Sequence, residues 1–169
     1  MADVRLSENT VRSQARVGSH KETLKMNQTL SPEAVRATLE DYARTYCAKD
    51  IDGLMAVFDD SDDISVIGTG AEELCVGRQE VRQLFLNNFS EAQATQFEWG
   101  WSHISQINNQ AVVAVILKIH IDLDGVLLQV PIRWTVALRH NGKRWVWLHR
   151  HASTAAASQD EGQAYPQSN

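Results

Sequence analysis

Arg133 and Arg150 are the residues whose types and spacing bear most directly on chemistry. The stretch PIRWTVALRHNGKRWVWLHRHAS, residues 131–153, reads as two strands around Asn141-Gly142. A two-residue turn there pairs His140 with Lys143, Leu138 with Trp145, Val136 with Trp147 and Trp134 with His149. That register sets Arg133 opposite Arg150 on the other face, with Thr135 beside Leu148. Adjacent guanidiniums repel, and an unpaired charge in an apolar pocket costs several kcal/mol. An anionic ligand, such as a carboxylate held by both guanidinium forks, removes both penalties. The competing reading is structural: Glu98 or Asp122 neutralises the pair, or Arg150 lies at a solvent rim. A three-residue loop at His140-Asn141-Gly142 would shift the pairing by one and reverse the faces of the last strand.

Tyr42 and His120 are the candidates for catalysis. A phenol on a helix face can donate to a ligand carbonyl or carboxylate, although such a tyrosine is also ordinary core. Tyr46, one helical turn later, joins Tyr42, and with Arg133, Arg150 and Thr135 it forms the ligand-binding set. His120 is the provisional general acid/base, because an imidazole ordinarily titrates near neutrality. His149 and His151 alternate on one strand face with no third ligand in sight, so interface histidines are expected rather than a metal. No cofactor is implied.

These side chains need a scaffold, and the pattern supplies one. Ser31 caps and Pro32 opens a helix on which Val35, Leu39, Tyr42 and Tyr46 share a face. Asp50 caps a second, IDGLMAVF, and a third from Gly77 buries Val81, Leu84 and Phe85, with Asn88 on the same face. ISVIG (64–68) is strand-like, and GTGAEEL supplies turn residues. From Thr95 the chain is β throughout, in runs 95–107, 110–123, 126–140 and 143–153, a four-stranded antiparallel sheet. Asp124-Gly125 is a two-residue hairpin signal that pairs Leu123 with Val126, Ile121 with Leu128, Ile119 with Val130 and Leu117 with Ile132, all apolar. The opposite face is mixed, with Asp122, His120 and Lys118 at its polar end and Ile116 beside Arg133 deeper in, while Phe97, Trp99 and Trp101 form a separate period-two stripe of core or dimer-contact residues. A sheet with one apolar and one mixed face needs cover on both sides, helices on one and a second subunit on the other. Helices first and strands afterwards define an α+β fold.

The 169 residues, 43% hydrophobic and 22% charged, have the size and composition of one domain, spanning residues 30–153. Residues 1–29 and 154–169 read as disordered polar flanks. A net charge of −5 gives no footprint for nucleic acid. No apolar run approaches the roughly 18 residues of a membrane span, and no signal peptide is visible. A cytoplasmic location is expected. Cys47 and Cys75 lack any metal or disulfide spacing and read as buried free thiols.

EDYARTYCAKDIDGLMAVF, a strand, GRQEVRQLF and a long sheet together resemble the nuclear transport factor 2-like superfamily, in its SnoaL-like and ketosteroid-isomerase-like branch, over residues 30–153. RWVWLHRHAS also resembles the end of the association domain of calmodulin-dependent kinase. The resemblance implies a cone-shaped, cystatin-like roll: three helices on a strongly bent antiparallel sheet, a pocket at the open end, and a homodimer through the outer sheet face. In ketosteroid isomerase, a helix tyrosine, a strand carboxylic acid and a first-strand aspartate do the chemistry. Tyr42 matches the tyrosine, but Arg133 stands where the acid belongs and Ile67 at or beside the aspartate's place. This chain is therefore not expected to be a ketosteroid isomerase, nor does it carry the Asp-Arg-Asp set of related epoxide hydrolases.

Two readings of function stay open. One is a pocket that binds a small anionic or carbonyl-bearing molecule, with cofactor-free proton transfer of the isomerase, cyclase or dehydratase type as its chemistry. The other is a non-catalytic oligomerisation or partner-binding module.

Overall fold

The computed structural model describes residues 30–156 and 162–165. The expectation for residues 1–29, and that for the tail beyond 156 apart from 162–165, lie outside the described residues.

Helix α1 (Pro32–Cys47) opens as its sequence dictates: the Ser31 hydroxyl accepts from the Ala34 amide at 3.3 Å and Pro32 occupies the first turn. It buries Val35, Leu39, Tyr42, Ala43 and Thr45. Lys49, in the left-handed region at φ 52, turns the chain into α2 (Ile51–Val57), capped by Asp50 onto the Gly53 amide at 2.9 Å. Helix α3 (Arg78–Glu91) follows Gly77, whose φ of 85 strains any other residue, and buries Val81, Leu84, Phe85 and Phe89.

Six strands form one sheet in the order β2-β1-β6-β5-β4-β3: β1 (Ser65–Ile67), β2 (Leu74–Val76), β3 (Gln93–Ile107), β4 (Gln110–Leu123), β5 (Val126–His140) and β6 (Trp145–Ser153). The expected antiparallel four-stranded sheet is thus extended and mixed. Strand β1 runs parallel to β6, and β2, from a stretch read as turn, closes the edge. All three helices cover the inner face, where Val113, Val115, Leu117, Ile132, Trp134, Val136, Leu138, Trp145 and Trp147 join the helix side chains in one core.

The β4–β5 register is the one the Asp124-Gly125 signal specifies: Leu123 faces Val126, Ile121 faces Leu128, Ile119 faces Val130 and Leu117 faces Ile132. A type I′ turn needs positive φ at both central residues, and Asp124 (φ 52) and Gly125 (φ 87) provide it.

The β5–β6 turn departs from expectation. Gly142 has φ 93 but Asn141 does not enter the positive region, so no type I′ turn forms. Asn141 to Arg144 make a four-residue connection instead, in which the Asn141 amide donates to the Arg144 carbonyl at 3.0 Å and the Asn141 side chain accepts from the Lys143 and Arg144 amides. His140 then faces Trp145 and Leu138 faces Trp147, which keeps Trp134, Trp145 and Trp147 inside. Ala137 faces His149, so Leu148 is an extra residue in β6 and every position after it changes face. Val136 consequently faces Arg150, and Arg133 faces Ser153. The expected Arg133/Arg150 pair does not exist.

A second bulge bends β3, where Gly100 and Trp101 together oppose Ile116. A Cβ at Gly100 would stand 2.8 Å from the Ile116 carbonyl oxygen, so the close approach depends on glycine. Among the described residues no helix covers the outer face that results, which exposes Val112, Ile116 and Trp101, the last 61% accessible and stacked on His103.

Candidate functional site

The bulge at Leu148 turns Arg150 into the core, and the site is built around that event. Arg150 is 6% exposed. Its Nη1 donates to the Tyr42 phenol oxygen at 3.1 Å, and its Nε, also buried, has no hydrogen-bond partner among the described residues. Among the described residues no carboxylate pairs with it. Aromatic rings surround the guanidinium carbon, with the Trp134, Phe85 and Tyr42 centroids at 5.4, 5.6 and 5.9 Å. Such cation–π contacts recover part of what desolvation costs but supply no hydrogen-bond acceptor.

The cage is rigid for identifiable reasons. Tyr42 stacks on Trp147 at 4.7 Å between centroids and 8° between planes, and Trp147 is anchored by its Nε1, which donates to the Thr38 hydroxyl at 2.8 Å. Tyr46 stacks on Tyr42 at 5.7 Å between centroids. Burial pushes the Tyr42 phenol far above the ordinary tyrosine range, and although Arg150 pulls the other way, burial wins; Tyr46 is raised by burial as well. Both phenols are therefore neutral at any physiological pH. Because Arg150 donates to the Tyr42 oxygen, the phenolic hydrogen remains available as a donor. The Trp134 Nε1 is a further buried donor with no partner among the described residues. The cage thus presents N–H and O–H donors and one positive charge, a chemistry suited to an acceptor oxygen that carries or develops negative charge.

A carboxylate, that of Glu73, shares this face. Val66 in β1 lies between Arg150 and Cys75, and one row further Gly68 lies opposite Glu73. The Glu73 side chain folds over Gly68, where a Cβ would come within 2.0 Å of Glu73 Oε2, and that oxygen accepts from the Gly70 amide at 2.7 Å. Cys75 and Cys47 are free thiols, both raised chiefly by burial.

Of the site residues expected from sequence, Tyr42, Tyr46 and Arg150 come together; Arg133, Thr135 and His120 do not. Arg133 is exposed on the outer face and donates from Nη2 to the Thr154 carbonyl at 2.8 Å. Thr135 is exposed on that face too. His120 lies there 2.9 Å from Glu98, which also holds Lys118 at 3.4 Å, and the His120 hydrogen bond is the main reason the Glu98 carboxyl falls below its usual range. Neither Glu98 nor Asp122 answers a buried arginine, because Asp122 is engaged by the Gly125 amide at 2.7 Å. Two causes lie behind these corrections: the β4–β5 register sets Arg133, Thr135 and His120 on the outer face, and the extra residue in β6 moves Arg150 alone to the inner one.

Sequence reasoning missed the Trp134 indole N–H as a donor and Glu73 as the inner-face acid. A tryptophan assigned to core hides its polar edge, and Glu73 stands in a glycine-flanked turn whose strand partner was not foreseen.

Two other features lie outside the cage. His149 Nδ1 is 2.8 Å from the Ser65 hydroxyl, and burial, then His151 and Arg150, lower its imidazole below the ordinary range. A groove of about 420 Å³ between α1, α2 and the β5–β6 turn is fringed by Asp41, Arg44, Lys143 and Arg144, all exposed.

Comparison with known proteins agrees with this architecture. The sequence matches the SnoaL-like domain over residues 35–157. No curated protein matches. Among solved structures, a candidate dehydratase of the NTF2-like family from Streptomyces avermitilis is 18% identical, with a TM-score of 0.64 over 74% of this chain and 97% of that one. A ketosteroid isomerase-like protein from Erwinia carotovora atroseptica is 18% identical, with a TM-score of 0.65 over 77% and 98%. A candidate calcium/calmodulin-dependent protein kinase II association domain from Xanthomonas campestris is 14% identical, with a TM-score of 0.65 over 73% and 86%. At such identities these neighbours speak to the fold alone.

Proposed function

The chain belongs to the SnoaL-like domain family, and from that premise we propose that it is a pocket protein that binds a small organic molecule through an anionic or carbonyl oxygen. The observation that carries this reading is the buried Arg150 guanidinium, caged by aromatic rings, bonded to Tyr42 and answered by no carboxylate among the described residues. A fold keeps such a group at a cost of several kcal/mol unless something neutralises it. Tyr42 and Arg150 hold the ligand oxygen, Trp134 offers a further donor, and Tyr46 and Phe85 form the apolar walls. Among the described residues no imidazole stands in the cage to serve proton-transfer chemistry, and His120 is on the other side of the sheet.

The test uses benzoate and its neutral analogue benzamide as probes. Benzoate raises the melting temperature of the wild type and benzamide does not, and Arg150→Met removes the response while remaining folded. An equal response to both probes, or an undiminished response in Arg150→Met, would falsify the assignment.

A second reading, self-association, has its own observation: Trp101, Ile116 and Val112 form an exposed apolar strip on the uncovered outer face. We assign that face to a homodimer, a role compatible with the pocket and in keeping with the resemblance to association domains.

A further inference from the structure

We infer that Glu73 is a specificity-determining residue that penalises a second negative charge on the ligand. The inference rests on the anion-binding reading above and adds to it the charge state of the ligand.

The sheet register places Glu73 on the inner face, opposite Gly68 and one row from the Val66 row that holds Arg150 and Cys75. Two strand spacings, about 10 Å, separate the β6 and β2 backbones. Both Glu73 and Arg150 act electrostatically on Tyr46 and on Cys75, so the two charges share one neighbourhood. Glu73 does not neutralise Arg150, because its Oε2 is held by the Gly70 amide at 2.7 Å and its stem lies over Gly68. Glycine at position 68 is what leaves room for that posture. Glu80, the other acid acting on Cys75, is exposed and tied to the Val76 amide at 2.8 Å.

With both tyrosines neutral, the inner face carries one positive and one negative charge near the cage. A monoanion on Arg150 meets the repulsion of Glu73 once. A dianion of the same shape meets it twice, so whatever factor Glu73 imposes on the monoanion is squared for the dianion. At this separation, with partial screening by solvent, the factor is about threefold for one charge and about tenfold for two.

Two isosteric probes isolate the effect, 4-carbamoylbenzoate as monoanion and terephthalate as dianion, titrated calorimetrically into the full chain at constant ionic strength. Glu73→Gln is expected to tighten the first about threefold and the second about tenfold, with Glu73→Ala giving the same ratio should the amide perturb the loop. Arg150→Met is expected to lose both probes. If 4-carbamoylbenzoate binds through Arg150 but neither Glu73 variant changes the ratio of the two affinities, the role of Glu73 is overturned and the anion site stands. If neither probe binds the wild type, the anion site itself is overturned and this inference with it.

Discussion

Arg150 and Tyr42 meet across 3.1 Å in the core, and the phenol oxygen is the one hydrogen-bond acceptor the guanidinium has among the described residues. Tyr42→Phe therefore strips a buried charge of that acceptor and is expected to cost about 2 kcal/mol of unfolding free energy. Arg150→Met removes the charge, keeps the volume and leaves only a neutral hydroxyl unmatched, so its cost is within about 1 kcal/mol of zero. The double variant is expected to be no less stable than Arg150→Met alone. Urea denaturation of the four proteins checks this, and strictly additive losses would contradict it.

Arg133→Ala, Thr135→Ala and His120→Gln are expected to leave ligand-induced thermal stabilisation unchanged. All three residues lie on the outer face, with Arg133 bonded to Thr154 and His120 to Glu98. A lost benzoate response in any of them would place the site on the wrong side of the sheet.

Asp59 supplies a pH dependence. It is 3% exposed, and Oδ2 accepts from Arg139 Nε at 2.7 Å while Oδ1 accepts from the Ser61 amide at 3.0 Å. The Arg139 hydrogen bond, above all, holds its carboxyl far below the usual range. A folded-state value below the unfolded one contributes stability that is complete once the unfolded carboxyl has ionised, above about pH 5, and is withdrawn as pH falls below about 4. Asp59→Asn is expected to lower stability by about 2 kcal/mol at pH 7, a figure kept moderate because Arg139 is 45% exposed. Its deficit relative to the wild type narrows as pH drops from 4 toward 2. Chemical denaturation across that range measures it, and a constant deficit would remove Asp59 as the cause.

Gly100→Ala tests the bend in β3. The added methyl meets the Ile116 carbonyl oxygen at 2.8 Å, a backbone atom that cannot swing away. A loss of about 1–3 kcal/mol is expected, read as a lowered denaturation midpoint, and a neutral effect would mean that the bulge relaxes freely.

The outer face gives a last prediction. Ile116→Lys and Trp101→Lys, at positions 49% and 61% exposed, are expected to leave the fold's stability within about 0.5 kcal/mol of the wild type and to halve the mass seen by light scattering. A wild type that is monomeric at high concentration would dismiss the proposed dimer.

Some of this was legible in the sequence because its causes are local. Ser31-Pro32 and Asp50 start helices through bonds spanning three residues, and Asp124-Gly125 fixes a register because two left-handed residues in succession permit a single turn. The alternation of Leu123, Ile121, Ile119 and Leu117 against β5 then follows by period two, and with it the apolar face that must be covered. Tyr42 fell on the buried helix face for the same reason. The turn at Asn141-Gly142 carried a similar signal, yet Asn141 keeps an ordinary φ and its side chain caps a longer loop. Nothing within a few residues of Leu148 announces the bulge. It is settled by what β6 meets on both sides, Trp145 and Trp147 in the core against β5, and Phe58 and Ser65 in parallel on the other edge. The contacts with Phe58 and Ser65 join residues more than eighty positions apart, and one unpaired residue in β6 decides that Arg150 is buried rather than facing water with Arg133. The sequence by itself determined the elements and the apolar face; only tertiary packing chose the face of Arg150, because strand parity carries no memory past a bulge.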